Sequence, residues 1–272
     1  MKPKSALLLP PTELSGGLFA AIHRDTRGLG MSDRDRFNFF PASPLVAVTY
    51  VAEGELRLVP QDGGLDDARS APALPRLSVM LPSQLPTVSW SPGTVRATTV
   101  GVYPDAWEGL SRRCDASTLL LSACEGCDDV GISWERFCTT LQPAWRATRQ
   151  NSNLPNWTGA PPLAEWSRAL ITRAALAGPG RSVRALERRL KRWSGQTRRS
   201  LDFFASFDRL HRLSAQAGET PLAVLALEAG YSDQSHMGRA LRRATGFSPA
   251  ELNRRIDTEE AFWCYRLLGE SF

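Results

Sequence analysis

The chain is short of the residues on which several large protein classes depend. Five of its 272 residues are cysteine and three are histidine. Five cysteines are too few for a disulfide scaffold and odd in number, so a reducing compartment is the expectation. His23 is the one histidine of the first half, with His211 and His236 far downstream. A barrel enzyme that holds its metal on several imidazoles therefore lacks the ligands. Long apolar runs are missing too. Ala6 to Leu9 runs into Pro10 and Pro11, far short of a signal-peptide core or of the ~20 residues of a membrane span. No Gly-rich phosphate loop, nucleophile-elbow serine or HExxH motif is present. The expectation is a cytoplasmic protein that is not an enzyme, needs no cofactor and has no membrane partner.

What is present falls into two unlike halves. The formal net charge is +5. Residues 1–159 carry 15 Lys/Arg against 16 Asp/Glu, leaving −1, while residues 160–272 carry 18 against 12, leaving +6. All 18 of the latter bases are Arg except Lys191. Such asymmetry points to an anionic partner for the second half, with nucleic acid first in line.

Val, Thr, Phe and Trp punctuated by Pro and Gly predict strands at Leu45–Val51, Glu55–Val59, Leu77–Leu81, Thr87–Trp90 and Val95–Val102. Their close spacing favours an antiparallel barrel or sandwich. Helical patterns follow at Asp105–Cys114 and around Ile132–Arg149, where Trp134, Phe137, Leu141 and Trp145 make a buried stripe. Trp90, Trp107 and Tyr103 read either as packing or as the lining of an effector pocket. Asn151–Pro155 and Gly159–Pro162 read as a linker, placing a boundary near 155–162. The expected architecture is α+β with two domains, a β-rich 1–158 with trailing helices and an all-α 163–272.

The second half repeats itself at an offset of 51. Leu186–Leu201 aligns with Met237–Leu252, with Arg188/Arg239, Leu190/Leu241, Arg192/Arg243, Gly195/Gly246 and Leu201/Leu252 identical. Upstream, Ala175-Leu176 aligns with Ala226-Leu227. In the second copy Pro221 can open a helix, Gly230 can end it, and Ser232 or Asp233 can cap the next, which Gly246 ends. Two short helices about a tight Gly turn make a helix-turn-helix, expected at about 165–195 and 221–246.

At 100° per residue, Met237, Leu241 and Ala244 face inward on the second helix, and Gln234, Ser235, His236, Arg239, Arg242 and Arg243 face outward or lie at its edge. In the first copy Leu186, Leu190 and Trp193 face inward, and Arg184, Arg188, Lys191 and Arg192 outward. An apolar back with a basic front fits a major groove, where Arg can fork onto guanine O6/N7. The bland alternative is a solvated face, but the same outward set in two copies favours DNA. Leu201 to Ala217 predicts a connecting helix with Phe203, Phe207, Leu210 and Ser214 along its stripe, a spacer of ~25 Å. Two recognition helices held so can enter successive grooves ~34 Å apart.

These residues resemble the C-terminal DNA-binding domain of the AraC/XylS family of bacterial transcription regulators. Leu225-Ala226, Gly230 to Met237, Arg239, Leu241-Arg242 and Gly246-Phe247-Ser248-Pro249 carry the likeness, which spans about 165–256. The resemblance implies a cupin-like N-terminal domain that senses a small-molecule effector or dimerises, RNA polymerase as a partner, and nucleoid association. The first unit departs from the pattern, with Ala174-Ala175-Leu176 and with Gly178-Pro179-Gly180 at its turn.

Cys114, Cys124, Cys127 and Cys138 offer one alternative chemistry. Four thiolates can hold zinc, and Cys124-Glu125-Gly126-Cys127 can form a reversible disulfide. The spacing lacks a second CxxC, so the metal expectation is none. A zinc- or thiol-based sensor, or a DNA-repair methyl-acceptor protein, is the second reading.

Overall fold

The computed structural model describes residues 3–150, 154–178, 182–216 and 220–269. Asn151–Asn153, Pro179, Gly180 and Ala217 of the expected linker, turn and spacer lie outside them.

The N-terminal half is built on two open antiparallel sheets. Strands β1 (Lys4–Leu8), β2 (Leu18–Asp25), β3 (Phe37–Phe40), β4 (Val46–Glu53), β5 (Arg57–Val59), β6 (Leu77–Met80), β7 (Thr87–Trp90) and β8 (Arg96–Val102) form a five-stranded sheet ordered β1-β2-β8-β4-β6 and a three-stranded sheet ordered β3-β7-β5. The five expected strands occur within a residue or two of their bounds. The helix expected at Asp105–Cys114 is α2 (Pro104–Ser111), and two helices lie outside the expectation, α3 (Ala116–Cys124) after it and the short α1 (Leu65–Ser70) earlier in the chain. Asp115 separates α2 from α3 because its carboxylate caps α3, accepting from the Ser117 and Thr118 amides.

Helix α4 (Val130–Gln150) lays its stripe into the core: Phe137, Leu141 and Trp145 are almost wholly buried, and Trp134 is half-buried with its indole N–H on the Leu9 carbonyl at 3.0 Å. Each such side chain contributes roughly 1.5–3 kcal/mol. Trp90 and Tyr103 are packing residues, the latter against Trp166 at 5.5 Å between ring centres.

The C-terminal half is wholly helical: α5 (Leu163–Leu176), α6 (Val183–Ser194), α7 (Arg198–Gln216), α8 (Leu222–Glu228), α9 (Gln234–Thr245), α10 (Pro249–Thr258) and α11 (Trp263–Gly269). No helix among the described residues is long and apolar enough to cross a membrane. The stripe of α7 differs from the expectation. Leu201, Phe204 and Leu210 are its buried apolar residues, Phe203 and Phe207 are half-buried, and Ser214 is exposed. The helix is wedged between the second unit and the N-terminal half, so apolar residues on more than one face find cover.

The halves are packed together rather than strung on a linker. One apolar core runs from Val48, Val100 and Leu110 through Trp145 to Trp166, Leu170, Leu190 and Leu201. A second gathers Leu225, Ala226, Met237, Leu241, Phe262 and Tyr265, with Phe37 and Phe39 of β3 against it. The last stretch does more than pack on the helical half. Phe262 stacks on Phe39 at 4.7 Å, the Trp263 indole N–H donates to Asn38 Oδ1 at 2.8 Å, and Arg24 pairs with Glu260 at 2.8 Å.

Candidate nucleic-acid interface

The two recognition helices repeat their capping bonds and those of the turns that follow them. Ser182 caps α6 by accepting from the Ala185 amide at 3.2 Å, and 51 residues on Asp233 caps α9 by accepting from the His236 amide at 2.7 Å. Gly195 and Gly246 end the two helices in the left-handed region, with φ of 67° and 89°. Just before them, the Ser194 hydroxyl donates to the Leu190 carbonyl and the Thr245 hydroxyl to the Leu241 carbonyl, each at 2.9 Å. Thr197 and Ser248 then accept from the Ser200 and Glu251 amides, opening α7 and α10.

Upstream of the recognition helices the register changes. Six residues separate α5 from α6, five separate α8 from α9. Ala174 is fully buried like Ala226, whereas Ala175 and Leu176 are exposed. The structural counterpart of Ala226 is therefore Ala174, not Ala175, because the first connection has one residue more.

On α6, Arg184, Arg188, Lys191 and Arg192 are all exposed, above buried Ala185 and Leu190. Arg189 turns inward, its Nε donating to the Ala174 carbonyl at 2.5 Å, which ties α6 to the end of α5. On α9, Gln234, Ser235, His236, Arg239, Arg242 and Arg243 are exposed above buried Met237, Leu241 and Ala244. Two of these have protein partners. His236 Nδ1 sits 3.2 Å from the Ser232 hydroxyl, with its ring edge-on to Tyr231. Arg243 donates to Gln84 Oε1 and lies over the Phe203 ring at 5.0 Å.

Gln84 is the residue that sequence reasoning missed. It stands in the loop between β6 and β7, and its amide N–H also donates to Ser200 Oγ at 2.8 Å. The end of α9 is held beside it, with the Ala42 amide donating to the Ala244 carbonyl at 2.7 Å. Nothing local marks Gln84, since its partner is 159 residues away.

An apolar cavity of about 260 Å³ opens between the sheets, α7 and α11, lined by Ile22, Phe40, Met80, Phe204, Phe207 and Trp263 among others. Beside several Ser, Thr and Asn side chains, its wall carries Arg24, Asp208, His211 and Tyr265. Burial pushes the Asp208 carboxyl up and the His211 imidazole down, favouring the neutral form of each. The Tyr265 hydroxyl is buried without a partner. None of Trp90, Trp107 and Tyr103 lines this cavity.

Among the described residues no three His, Cys, Asp or Glu side chains could hold a metal ion, and all five thiols are free. Burial pushes Cys124 up to about 11 and Cys138 up to about 12, which leaves both as inert thiols near neutral pH.

Two capped, glycine-ended helices with inward apolar and outward cationic faces, each preceded across a short connection by another helix, define a helix-turn-helix domain of the kind that binds DNA. Residues 178–255 match the family described as a helix-turn-helix domain. No curated protein matches the chain. Among solved structures, the chain is similar to ToxT from Vibrio cholerae. An apo variant is 10% identical with a TM-score of 0.39 over 87% of this chain and 97% of that one. A further crystal form is 9% identical with a TM-score of 0.35 over 92% and 97%. ToxT bound to an unsaturated fatty acid is 10% identical with a TM-score of 0.34 over 79% and 93%. An overlap that loose does not place individual side chains.

Proposed function

We propose that the protein is a sequence-specific, non-enzymatic transcription regulator. Residues 163–272 bind duplex DNA, and residues 1–158 answer to a small effector held in the apolar cavity. The observation that carries this reading is the 51-residue repeat of cap, cationic face and left-handed glycine in α6 and α9. Arg184, Arg188, Lys191 and Arg192 serve the first half-site, and Gln234, Ser235, His236, Arg239, Arg242 and Arg243 the second. Arg forks onto guanine edges or grips phosphate, while Gln, Ser and His reach other edges. Helix α7, with 19 residues, is about 28 Å long, a spacing suited to successive major grooves roughly 34 Å apart.

Selection of bound sequences from random duplex DNA tests the reading directly. Two half-sites one helical turn apart are expected. Arg188→Ala and Arg239→Ala should each cost ~1–3 kcal/mol at the base pair it reads, with relaxed preference there. Recovery of no preferred sequence, together with binding indifferent to salt, would refute it.

A further inference from the structure

A surface groove of about 1430 Å³ lies beside the first recognition helix, among α2, α5 and α6. Its floor is electrically spent. Asp105 is almost wholly buried, accepting from the Trp166 indole at 3.0 Å and from Arg173 at 2.8 Å, and Arg173 in turn lies over Trp193 of α6 at 4.9 Å. The rim is not spent. Arg112 and Arg113 at the end of α2, Arg168 of α5 and Arg192 of α6 are all exposed around one opening. Two rim carboxylates stand against these four guanidinia: Glu108, which pairs with Arg112 at 2.6 Å, and Glu165. Among the described residues Arg113, Arg168 and Arg192 have no carboxylate partner.

Arg192 belongs both to this rim and to the outward face of α6. The cationic surface of the recognition helix therefore continues onto the N-terminal half, where α2 packs on α6. We propose that the rim extends the DNA interface, with Arg113 and Arg168 taking the phosphate backbone that flanks the half-site of α6. The proposal rests on the DNA-binding reading above. A duplex suits the rim better than a small anion does. An enclosed anion would settle on the floor, where the one buried carboxylate and its guanidinium already satisfy each other. Phosphates of a duplex stay at the surface, where the rim arginines are exposed. Such contacts position the protein and carry no sequence information. The planar guanidinium suits phosphate oxygens.

The test uses the full chain, a duplex it selects from random sequence, and an unselected duplex of the same length, with affinity followed against KCl. For the double variant Arg113→Ala/Arg168→Ala the slope of log K against log salt should become shallower by about 0.9 for each phosphate no longer neutralised. Affinity should fall on both duplexes alike, with the order of preferred sequences unchanged. Glu108→Gln/Glu165→Gln should move affinity the other way, a result that a purely structural role for the rim does not produce. All four side chains are at the surface, so unchanged melting temperatures are expected. If Arg188→Ala weakens binding while both rim variants leave affinity and slope as in the wild type, the rim proposal is overturned and the DNA reading stands. If Arg188→Ala is also without effect, the DNA reading itself fails.

Discussion

Ala226 has no exposed surface, and it is small where α8 must approach α9. Its neighbours Leu225, Met237 and Leu241 already fill the interior of the second unit. A leucine there would have to push α9 away, at a cost of about 1–3 kcal/mol. Ala226→Leu should therefore lower the denaturant midpoint and weaken binding to the second half-site while sparing the first. Equal loss at both half-sites would show that the two units do not act separately. Residues of this kind are legible from a sequence, because a helix repeats every 100° and an inward alanine between inward leucines leaves little choice. The same periodicity picks out the exposed cations of α6 and α9. It fails at Ala174, whose register depends on one extra residue in a turn. It places Arg243 at the surface but does not reveal its partner Gln84, which lies in another part of the chain.

Caps and stops decide the helical elements. Ser182 and Asp233, Gly195 and Gly246, Ser194 and Thr245 stand at one offset and make the same bonds, so the repeat survives as geometry as well as letters. Gly195 isolates the backbone contribution, since a Cβ there would meet nothing within 4 Å. Gly195→Ala should destabilise by roughly 1–2 kcal/mol from left-handed strain alone, with Gly195→Asn recovering part of the loss. Urea unfolding of the three proteins checks this, and an alanine variant as stable as the wild type would contradict it. Strands are harder to read where they are buried or flanked by proline. β2 is covered on both faces and carries Ala20 and Ala21, so it shows neither alternation nor strong β-propensity. β1 is short and runs into Pro10 and Pro11, and only its pairing with β2 from Lys4↔Asp25 to Leu8↔Ala21 makes it a strand.

For the whole molecule the consequential contact is Gln84 between α9 and α7. It holds Arg243 against the N-terminal half through an amide oxygen, while its amide nitrogen anchors on Ser200. An arginine held by protein must be released before it can meet phosphate. Gln84→Ala should tighten DNA binding by up to about tenfold, equivalent to roughly 1.4 kcal/mol. The gain should vanish in an Arg243→Ala background, and a double-mutant cycle of affinities measures it. Equal gains in both backgrounds would place the effect elsewhere. The walls of the apolar cavity include Ala42, Ser83 and Phe204, which adjoin this contact, so cavity and recognition helix share supports.

Local signals are enough for the helix-turn-helix repeat, its caps, its cationic faces and most of the β-rich half. These depend on periodicity and turn chemistry acting over a few residues. The union of the two halves through one core, the bridging place of Phe262 and Trp263 and the arginine rim beside α6 all depend on pairs far apart in the chain. Which distant surfaces meet is settled by packing of the folded chain as a whole, and no short window of residues encodes it.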